Sequence, residues 1–279
     1  MKLAAVVISY NYTDNQLYEN VKRYIDYVDL MIIWDNTPLN GKRLTDTFWQ
    51  SKHAHLVILS TGKNEGIGFA LNRSIEYAMR NECTHILAMD QDSVWEDFVS
   101  YRSYVDSDNT QDIAIYAPVI KDINNGIEIT CNKDDLYAIT SGCIFDLKKV
   151  VEIGYFNEEF FIDEVDNDYC MRCLLKGYHI KICRSNFLYQ QFGNSKGSPF
   201  ISRFTSYYSS FRTFYQVRNR IWMFKLYGCK LPYKYHAWTF FITILSRAIV
   251  VVLFENKKME KLNAIIKGIY YGLTKSPQK

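Results

Sequence analysis

The sequence lacks several features that would place it in well-known protein classes. Its seven cysteines are an odd number without the spacing of a disulfide framework, and Cys170 and Cys173 have no second close pair to complete a zinc site. We therefore expect reduced cysteines that pack in the interior of a cytoplasmic protein. Residues 3–8 form a short apolar run without the long apolar core and cleavage site of a signal peptide. There is no internal repeat and no low-complexity linker.

Two familiar nucleotide-binding motifs are also absent. Residues 64–72 read Asn-Glu-Gly-Ile-Gly-Phe-Ala-Leu-Asn, which lacks the third glycine and the first-strand position of the dinucleotide fingerprint. A P-loop is excluded because no Gly-Lys-Ser/Thr follows. The two glycines still permit close backbone approach at a helix N-terminus, where an anion is favoured. The structural alternative is an ordinary helix start.

Acidic residues are scarce near the C-terminus. Residues 200–279 hold 14 Lys or Arg and two acids, a net charge of +12, whereas the first 199 residues carry −9. The basic residues alternate with bulky aliphatic side chains, which favours an anionic lipid surface as a partner and argues against nucleic acid. We predict that the protein lies at the inner face of the cell membrane.

An apolar segment over residues 236–254 is the centre of this basic region. Its length is near the minimum for crossing a bilayer, but Arg247 near its middle would cost about 2.5–3.5 kcal/mol on insertion scales. We expect it to lie in the membrane plane, and packing or homodimerisation through the C-terminal helices is the alternative. The lysines that follow closely are Lys257, Lys258, Lys261 and Lys267.

Short apolar runs alternate with helical patterns in the first 110 residues. The predicted strands lie at residues 3–9, 30–34, 56–59 and 85–89. The predicted helices lie at residues 14–27, capped by Asp14, and 67–80. This alternation indicates an α/β fold with an open, mostly parallel sheet, whose ligands bind at the carboxyl ends of the strands.

Beyond residue 110 the pattern becomes α+β. Predicted strands at 113–119 and 127–131 flank a turn at 124–126. A helix is predicted at 165–176, ended by Gly177, and the chain is predicted to be helical from about residue 200 onwards.

Polar loops follow the four predicted parallel strands, and we expect them to converge on one cleft. The loops are residues 9–11, 35–36, 61–64 and 90–92. In the last of them, Asp90 and Asp92 offer two carboxylates that can hold Mg²⁺ or Mn²⁺, which prefer oxygen ligands and bridge carboxylates to phosphates. The structural alternative is a solvated turn.

Four acids lie within six positions at a predicted helix start. They are Asp163, Glu164, Asp166 and Asp168. The helix dipole favours acids there, which is a structural explanation. The apolar run over 160–162 also predicts partial burial, and a partly buried carboxylate is a usable general base.

Together these motifs resemble the inverting family 2 glycosyltransferases, and within them the rhamnosyltransferase-like branch of bacterial polysaccharide biosynthesis. The resemblance runs from Val6 to about Asn219, with a weaker match over 261–274. It implies a GT-A catalytic domain over residues 1–200 and a helical, basic region over 201–279. The implied reaction moves rhamnose or another hexose from a nucleoside-diphosphate sugar to a saccharide hydroxyl, on a lipid-linked precursor, with Mg²⁺ or Mn²⁺ as cofactor.

The resemblance also implies roles for individual residues. The implied donor-binding residues are Ser9, Tyr10, Asn11, Asp35, Asn36, Asn64, Gly66, Gly68, Asn72, Asp90 and Gln91. The implied metal ligands are Asp90 and Asp92. Counting back six positions from a helical arginine gives Asp166 as the catalytic base, although Val165 stands where many members have Glu. The implied acceptor or diphosphate contacts are Ser141, Gly142, Asp163, Glu164, Gln190, Arg218 and Asn219.

The chain departs from the family at Gln190. Members often carry a His there, three residues before a glycine, as a third metal or diphosphate contact. Gln190 is a neutral oxygen donor and a weaker metal ligand, so the resemblance implies a looser metal site.

Other functions remain open. A sugar-phosphate nucleotidyltransferase would usually have a Gly-rich first loop with a basic residue, which residues 9–11 do not offer. A glycoside hydrolase is disfavoured because the acids follow nucleotide-type strand loops. A non-enzymatic nucleic-acid-binding protein would use the basic C-terminal region, and salt-sensitive RNA binding without nucleoside-diphosphate binding would favour it.

Overall fold

The computed structural model describes residues 1–124, 126–129, 136–191, 208–230 and 237–277. These residues form two compact units. The first comprises Met1–Glu158 and Tyr169–Gln191, and the second comprises Glu159–Asp168 and the C-terminal helices. The predicted boundary at residue 200 lies outside the described residues and stays a prediction.

The described part of the first unit is built on an eight-stranded sheet. The strands are β1 Leu3–Ser9, β2 Leu30–Asp35, β3 Leu56–Leu59, β4 His85–Asp90, β5 Val94–Trp95, β6 Ile113–Asp122, β7 Ile144–Asp146 and β8 His179–Gln190. Their order is β3-β2-β1-β4-β7-β6-β8-β5. β1 to β4 are mutually parallel, as are β6 and β8, whereas β7 is antiparallel to β4 and β6, and β5 is antiparallel to β8. The predicted mostly parallel α/β fold is confirmed.

The register of the parallel strands brings their polar ends to one edge. Ser9 pairs with Asp35 across β1 and β2, and Ile8 pairs with Asp90 across β1 and β4. All side chains of β2 are buried, as expected for a parallel strand covered on both faces. The apolar strands thus form the core, and the residues at their carboxyl ends form one polar rim.

Between β1 and β8, the described residues contain six α-helices in chain order. They are α1 Asp14–Val21, α2 Asp46–Gln50, α3 Ile67–Arg80, α4 Phe98–Ser107, α5 Leu147–Ile153 and α6 Val165–Leu175. The helix start predicted just after Gly66 and the helix end just before Gly177 are confirmed.

The first helix differs from the prediction at both ends. It ends at Val21, and a short 3₁₀ segment follows over Ile25–Tyr27. Its N-cap is Thr13, whose side chain accepts from the Gln16 N–H at 3.3 Å, while the Gln16 side chain accepts from the Thr13 N–H at 3.4 Å. This reciprocal capping box satisfies two N-terminal donors. Asp14 instead accepts from the Trp49 indole N–H at 2.7 Å.

The predicted hairpin after β6 is described only in part, because residues 125, 130 and 131 lie outside the described residues. Glu128 forms an isolated antiparallel bridge with Lys121. The Asp122 N–H donates to the Ile127 carbonyl at 3.0 Å, and the Ile129 N–H donates to the Ile120 carbonyl at 2.9 Å. Among the residues described, residues 127–129 therefore pair with β6 without forming a strand of their own.

Five cysteines are free and buried, as the sequence predicts. They are Cys83, Cys143, Cys170, Cys173 and Cys183. Burial raises the pKa of the Cys173 thiol to about 12, so this side chain stays a neutral packing group.

The part of the second unit that the structure describes contains three long helices, α7 Ser210–Tyr227, α8 Ala237–Phe254 and α9 Lys258–Thr274. The predicted helical C-terminal region is thus confirmed where it is described. α7 and α9 pack closely because α9 carries two glycines at the contact. A Cβ atom at Gly268 would come within 2.9 Å of the Phe214 carbonyl oxygen, and one at Gly272 within 2.5 Å of Ile221.

A buried ionic cluster links α8, the turn after it and α9. Glu255 is 1% exposed and accepts from the Arg247 guanidinium and from Lys261 Nζ, the latter at 2.5 Å. Lys261, one of the four lysines that follow the apolar segment, is itself buried, and its charge is paired inside the unit. No helix in the described ranges has both the length and the apolar character to cross a bilayer.

Candidate active site

The loops that follow β1, β2 and β4 are joined by hydrogen bonds at the polar rim. The Asn36 N–H donates to the Ser9 carbonyl at 2.8 Å. The Tyr10 N–H donates to Gln91 Oε1 at 2.7 Å. These contacts confirm that the first, second and fourth strand ends lie together.

The loop before α3 joins the same rim through Asn36. Asn36 is 3% exposed, accepts from the Glu65 N–H at 3.2 Å and donates to the Gly66 carbonyl at 3.1 Å. Gly66 has φ +87°, in the left-handed region that favours glycine, and its N–H donates to Asn64 Oδ1 at 3.1 Å. Asn36 therefore fixes the start of α3 against the end of β2.

Asp35 is fully buried at the end of β2. One carboxylate oxygen accepts from the Thr37 N–H at 2.9 Å, and the other accepts from the Leu44 N–H at 3.3 Å and lies 3.5 Å from Arg43 Nε. Protein groups thus hold this carboxylate and shape the loop over 36–44. Its contact with a nucleotide base or ribose stays a prediction.

Gly68 and Asn72 contact the segment over 156–158 of the same unit. A Cβ atom at Gly68 would come within 3.1 Å of the Asn157 carbonyl oxygen. Asn72, 3% exposed, donates to the Phe156 carbonyl and to Glu158, each at 2.8 Å, and accepts from the Phe156 N–H at 2.9 Å. These contacts give both residues a structural role, and their role toward a donor stays a prediction.

Asp90 is the half-buried centre of a short polar network. Gln190 Nε2 donates to Asp90 Oδ2 at 2.7 Å. The Asp90 N–H donates to Ser141 Oγ at 3.1 Å, and Ser141 Oγ donates to Ser93 Oγ at 2.8 Å. Ser141 therefore supports the metal-ligand candidate from the protein side, and Gln190 presents an N–H to Asp90.

Two buried polar atoms at the polar rim lack a hydrogen-bond partner. Gln190 Oε1 and Ser9 Oγ are buried and have no hydrogen-bond partner. Among the residues that the structure describes, no cluster of three or more His, Cys, Asp or Glu side chains could hold a metal ion alone. Mg²⁺ is usually bound by one or two carboxylates together with substrate phosphates. Asp90 and Asp92 fit a divalent ion that arrives with a diphosphate.

The motif analysis missed Tyr12, which lies close to Asp92. Burial, and then the Asp92 carboxylate, raise the pKa of the Tyr12 hydroxyl above its ordinary value. Tyr12 therefore stays protonated at neutral pH and offers a hydrogen-bond donor near Asp92. The available signal was its position directly after the first-strand motif over 6–11.

Gly142 has φ +83° and no room for a side chain. A Cβ atom would come within 2.6 Å of Pro118 and 2.8 Å of Leu188, and the Gly142 N–H donates to the Ala88 carbonyl at 2.7 Å. Packing beside β4 therefore explains this glycine. Its predicted place among the acceptor contacts stays a prediction.

In the second unit, the acidic segment has an unusual backbone. Phe161, Asp163 and Glu164 have φ values of +63°, +59° and +65°. Positive φ values are uncommon in residues other than glycine. Residues with such φ values cluster at functional sites, where the surrounding structure holds them in place. The side chains that hold this segment come from α7.

Asn219 is the main support of the segment. It is fully buried, and Nδ2 lies 2.8 Å from each of three carbonyl oxygens, those of Phe160, Ile162 and Asp163. Its Oδ1 accepts from Arg218 Nε at 2.9 Å. Asn219, predicted among the acceptor or diphosphate contacts, therefore holds the backbone of this segment.

Arg218 makes the neighbouring contacts. Its guanidinium donates to the Glu159 carbonyl at 2.5 Å and lies 3.9 Å from the centroid of the Trp222 ring. Burial lowers the pKa of Arg218 to about 10, so the side chain remains charged at neutral pH. Arg218 is thus a cation that stabilises the carbonyl groups at the start of the segment.

The acids of the segment differ in their partners. Asp163 accepts through both oxygens from Arg212, at 2.8 Å from Nη2 and 3.0 Å from Nε. Glu164 accepts from Asn167 Nδ2 at 2.9 Å. Asp166, half-buried in the first turn of α6, accepts from the Asn167 N–H at 2.8 Å. A bidentate guanidinium thus occupies both oxygens of Asp163.

Asp168 has a structural partner as well. It is 1% exposed and accepts a hydrogen bond from the Tyr227 hydroxyl. Partial burial of the acidic run, expected from the apolar residues before it, is therefore observed, and it is deepest at Asp168.

No family model matches the chain. The dTDP-rhamnosyl transferase RfbF of Shigella flexneri is 30% identical over 237 residues, which cover 77% of this chain and 77% of that protein. The mannosyltransferase PcManGT from Pyrobaculum calidifontis, in complex with GDP-Man and Mn²⁺, has a TM-score of 0.58 at 13% identity, covering 99% of this chain and 76% of the other.

Residues 1–349 of S. aureus TarS, in complex with UDP-GlcNAc, have a TM-score of 0.55 at 16% identity, covering 99% of this chain and 74% of the other. The two solved structures show that the fold is of the GT-A type, as predicted. The relation to RfbF confirms a glycosyltransferase. The chain belongs to the rhamnosyltransferase-like family of glycosyltransferases that includes RfbF.

Proposed function

We propose that this enzyme is an inverting, metal-dependent family 2 rhamnosyltransferase. It moves rhamnose from a dTDP-activated donor to a hydroxyl of a saccharide acceptor, carried on a lipid-linked polysaccharide precursor. The observation that carries the proposal is the 30% identity with RfbF over 77% of the chain. The pair Asp90 and Asp92 at the carboxyl edge of a parallel sheet supports it, since ligands of such sheets bind there.

The donor is assigned to the polar rim of the first unit. Asp90 and Asp92 would hold Mg²⁺ or Mn²⁺, which when bound supplies positive charge to the diphosphate leaving group. Gln190 orients Asp90 through its N–H, and Tyr12 offers a hydroxyl donor near Asp92. The buried, unpaired Ser9 Oγ is a further polar atom at the rim that a donor group can satisfy.

The base is assigned to Asp166. Its carboxylate takes the proton of the acceptor hydroxyl while that oxygen forms a bond to the anomeric carbon. The bond from the anomeric carbon to the diphosphate oxygen breaks on the opposite face, so one displacement inverts the configuration. Asp163 is less suited to this role because Arg212 occupies both of its oxygens.

We also assign the exposed faces of α8 and α9 to an anionic membrane surface. α8 exposes Ile242, Leu245, Ile249 and Leu253, and α9 exposes Met259, Ile266, Tyr270 and Leu273. The spacing of three, four or seven residues puts each set on one helix face. Lys257, Lys258 and Lys267 are exposed on the same unit. Such apolar faces with nearby lysines suit in-plane attachment to the inner leaflet, and a homodimer through these helices is the alternative.

A thermal-shift screen with dTDP-rhamnose, UDP sugars and GDP sugars, each with and without Mn²⁺, tests the proposal. We expect the largest stabilisation with dTDP-rhamnose and Mn²⁺, because a ligand stabilises the folded state it binds. NMR of the product would then show an anomeric configuration opposite to that of the donor. Release of pyrophosphate from a nucleoside triphosphate, without sugar transfer, would instead identify a nucleotidyltransferase.

A further inference from the structure

The loop over residues 36–45 follows β2 and lies directly against the end of the first-strand motif. The Asn11 N–H donates to Thr37 Oγ1 at 2.9 Å, and Asn11 Oδ1 accepts from the Lys42 N–H at 3.2 Å. A Cβ atom at Gly41 would come within 2.7 Å of Asn11 Oδ1. Asn11 has φ +53°, in the left-handed region that Asn adopts more readily than most residues. Asn11 therefore holds the loop over 36–45 against the loop after β1.

The same loop is also joined to the end of β3. The Leu39 N–H donates to the Gly62 carbonyl at 3.0 Å. The Gly62 N–H donates to Ser60 Oγ at 3.0 Å, and Ser60 Oγ donates to the Asp35 carbonyl at 2.7 Å. The loop over 36–45 is thus a fixed part of the polar rim, between the ends of β1 and β3.

Arg43 is the residue through which this loop pairs with Asp35. Arg43 Nε lies 3.5 Å from Asp35 Oδ2, and the Asp35 side chain is 1% exposed whereas that of Arg43 is 37% exposed. None of the described residues accepts a hydrogen bond from the two Nη groups of Arg43, so their N–H donors remain for a ligand. The buried carboxylate thus orients a guanidinium whose outer face is accessible.

The spacing of the strands relates this loop to the proposed metal ligands. β1 lies between β4 and β2, and neighbouring strands are roughly 4.8 Å apart, so Asp90 and Asp35 lie about 10 Å apart across the rim. On the other side of β4 the antiparallel β7 begins, so adjacent parallel strand ends continue only toward β1, β2 and β3. A nucleotide whose diphosphate is held at Asp90 therefore reaches the loop over 36–45 with its base, because a ribose separates the two groups.

We propose that Arg43 determines the nucleotide specificity by donating hydrogen bonds to a carbonyl oxygen of the base, and that Asp35 is the residue that positions Arg43. The proposal rests on the nucleotide-sugar donor of the proposed function. Thymine has two ring carbonyl groups, and a guanidinium offers a planar fork of donors to such acceptors. Asp35 is buried and already accepts from the Thr37 and Leu44 N–H groups, so the base contact that the resemblance implied for Asp35 passes to Arg43.

Two variants of adjacent loop residues separate the contact with the base from the loss of a charge. Arg43→Ala removes the proposed donor, and Lys42→Ala removes the same charge at the neighbouring exposed position. Calorimetry on the full-length protein with Mn²⁺ would use three probes. They are dTDP, 2-deoxyribose 5-diphosphate, which lacks the base, and dADP, whose base has no carbonyl group.

We expect Arg43→Ala to bind dTDP at least ~10-fold more weakly than the wild type, since a hydrogen bond from a charged group is worth that much. Its preference for dTDP over dADP should fall, while its affinity for 2-deoxyribose 5-diphosphate stays unchanged. Lys42→Ala should bind all three probes like the wild type. Wild-type dTDP affinity in Arg43→Ala would overturn the proposal. An equal loss for the probe without a base would overturn it too, because the contact would then be with phosphate.

A double-mutant cycle tests the positioning role of Asp35. If Asp35 acts through Arg43, the double variant Asp35→Asn and Arg43→Ala should bind dTDP no more weakly than Arg43→Ala, because residues that act as a unit give non-additive effects. Asp35→Asn alone should keep the affinity for 2-deoxyribose 5-diphosphate. Additive losses in the double variant would show that Asp35 contacts the base itself and would reject this part of the proposal.

The remaining outcomes are also decisive. If Arg43→Ala does not fold, Arg43→Met keeps the length of the side chain without its donors, and unchanged dTDP affinity in that variant overturns the proposal. A wild type that binds no nucleoside diphosphate with Mn²⁺ and transfers no sugar would reject the proposed function together with this inference. Normal transfer from dTDP-rhamnose, with a donor KM that Arg43→Ala does not change, would reject the role of Arg43 alone.

Discussion

Asp90 receives more polar contacts from the protein than a solvated turn would provide. Gln190 donates to its carboxylate, and Ser141 accepts from its backbone N–H. A carboxylate oriented in this way is suited to an ion that needs regular oxygen geometry. The Asp92 carboxylate, after burial, raises the pKa of the Tyr12 hydroxyl, so the two groups interact electrostatically.

We predict that Asp90→Ala and Asp92→Ala each abolish Mn²⁺-dependent binding of dTDP, because the diphosphate then lacks its bridge to the protein. Isothermal titration calorimetry with dTDP and Mn²⁺ measures this. Asp112→Ala, which removes an exposed acid with a side chain 51% accessible, is the matched control and should bind normally. Unchanged affinity in both site variants would reject the metal assignment.

Gln190→His should tighten Mn²⁺ binding, because imidazole is a better ligand for transition metals than an amide. Gln190→Met, of similar volume, removes the hydrogen bond to Asp90 without adding a ligand and should weaken binding. Titration of both variants with Mn²⁺ in the presence of dTDP measures the effect. A loss of Mn²⁺ affinity in Gln190→His would argue against Gln190 facing the ion.

Asp166→Asn should lower turnover by at least ~100-fold with nearly unchanged donor affinity, because a general base acts in the transition state. Asp163→Asn serves as the comparison. It breaks the ion pair with Arg212, so it should destabilise the protein rather than act on turnover alone. Single-turnover kinetics and urea unfolding separate the two effects. Normal turnover in Asp166→Asn together with an inactive Glu164→Gln would move the base to Glu164.

At the scale of elements, side chains of helix α7 hold the backbone of the segment over 159–164 through hydrogen bonds. Three left-handed residues make the segment costly on its own. Asn219 compensates, because its Nδ2, which carries two hydrogens, lies 2.8 Å from three of the segment's carbonyl oxygens. The arrangement presents Asp163 and Glu164 on a defined backbone directly before α6. Arg218 and Asn219 thus have a structural role, because both side chains hydrogen-bond carbonyl groups of the segment over 159–164.

Asn219→Ala should lower the free energy of unfolding by about 1–3 kcal/mol, because buried carbonyl groups lose their donor. Turnover should fall as well, since the backbone before Asp166, the proposed base, is released. Urea denaturation and steady-state kinetics measure both. Asn109→Ala, at an exposed loop position, should change stability by less than about 0.5 kcal/mol. Wild-type stability in Asn219→Ala would show that the three contacts contribute little.

At the scale of the whole molecule, charge and apolar surface are divided along the chain. The first 199 residues carry −9 and the remainder +12, and the exposed apolar faces described above belong to α8 and α9. The ionic cluster of Glu255, Arg247 and Lys261 keeps two of the positive charges inside the unit. The proposed attachment to lipid therefore has to rely on the exposed lysines for its electrostatic part.

The double variant Leu245→Glu and Leu253→Glu should no longer sediment with anionic liposomes, because charge then replaces apolar side chains that are 63% and 61% exposed. Val99→Glu, at an exposed position of α4, is the control and should bind like the wild type. High salt should release much of the wild-type protein. The wild type could instead fail to sediment with anionic liposomes and form a dimer, while the double variant is a monomer. In that case these faces are a dimer interface.

The sequence determined the first four parallel strands and the polar rim, because both follow from local patterns, whereas β5, β7 and β8 were not predicted. Buried parallel strands appear as short β-branched runs, and β1 to β4 lie where those runs predicted them. Parallel order then requires the residues after each strand to share one edge. For the same reason Asp90, Asp35 and Asn36 could be grouped before any distance was known.

Only the tertiary structure decided which polar side chains have structural partners. Asn72 and Asn219 lie in motifs that suggest ligand contacts, yet the first binds Phe156 and Glu158 and the second binds the backbone over 160–163. Lys261 belongs to a group of lysines close together in the sequence, and it is buried against Glu255. Their partners are six to 86 residues away along the chain. Helical and strand periodicity describes only near neighbours, whereas a hydrogen bond or ion pair depends on which distant segments folding brings together.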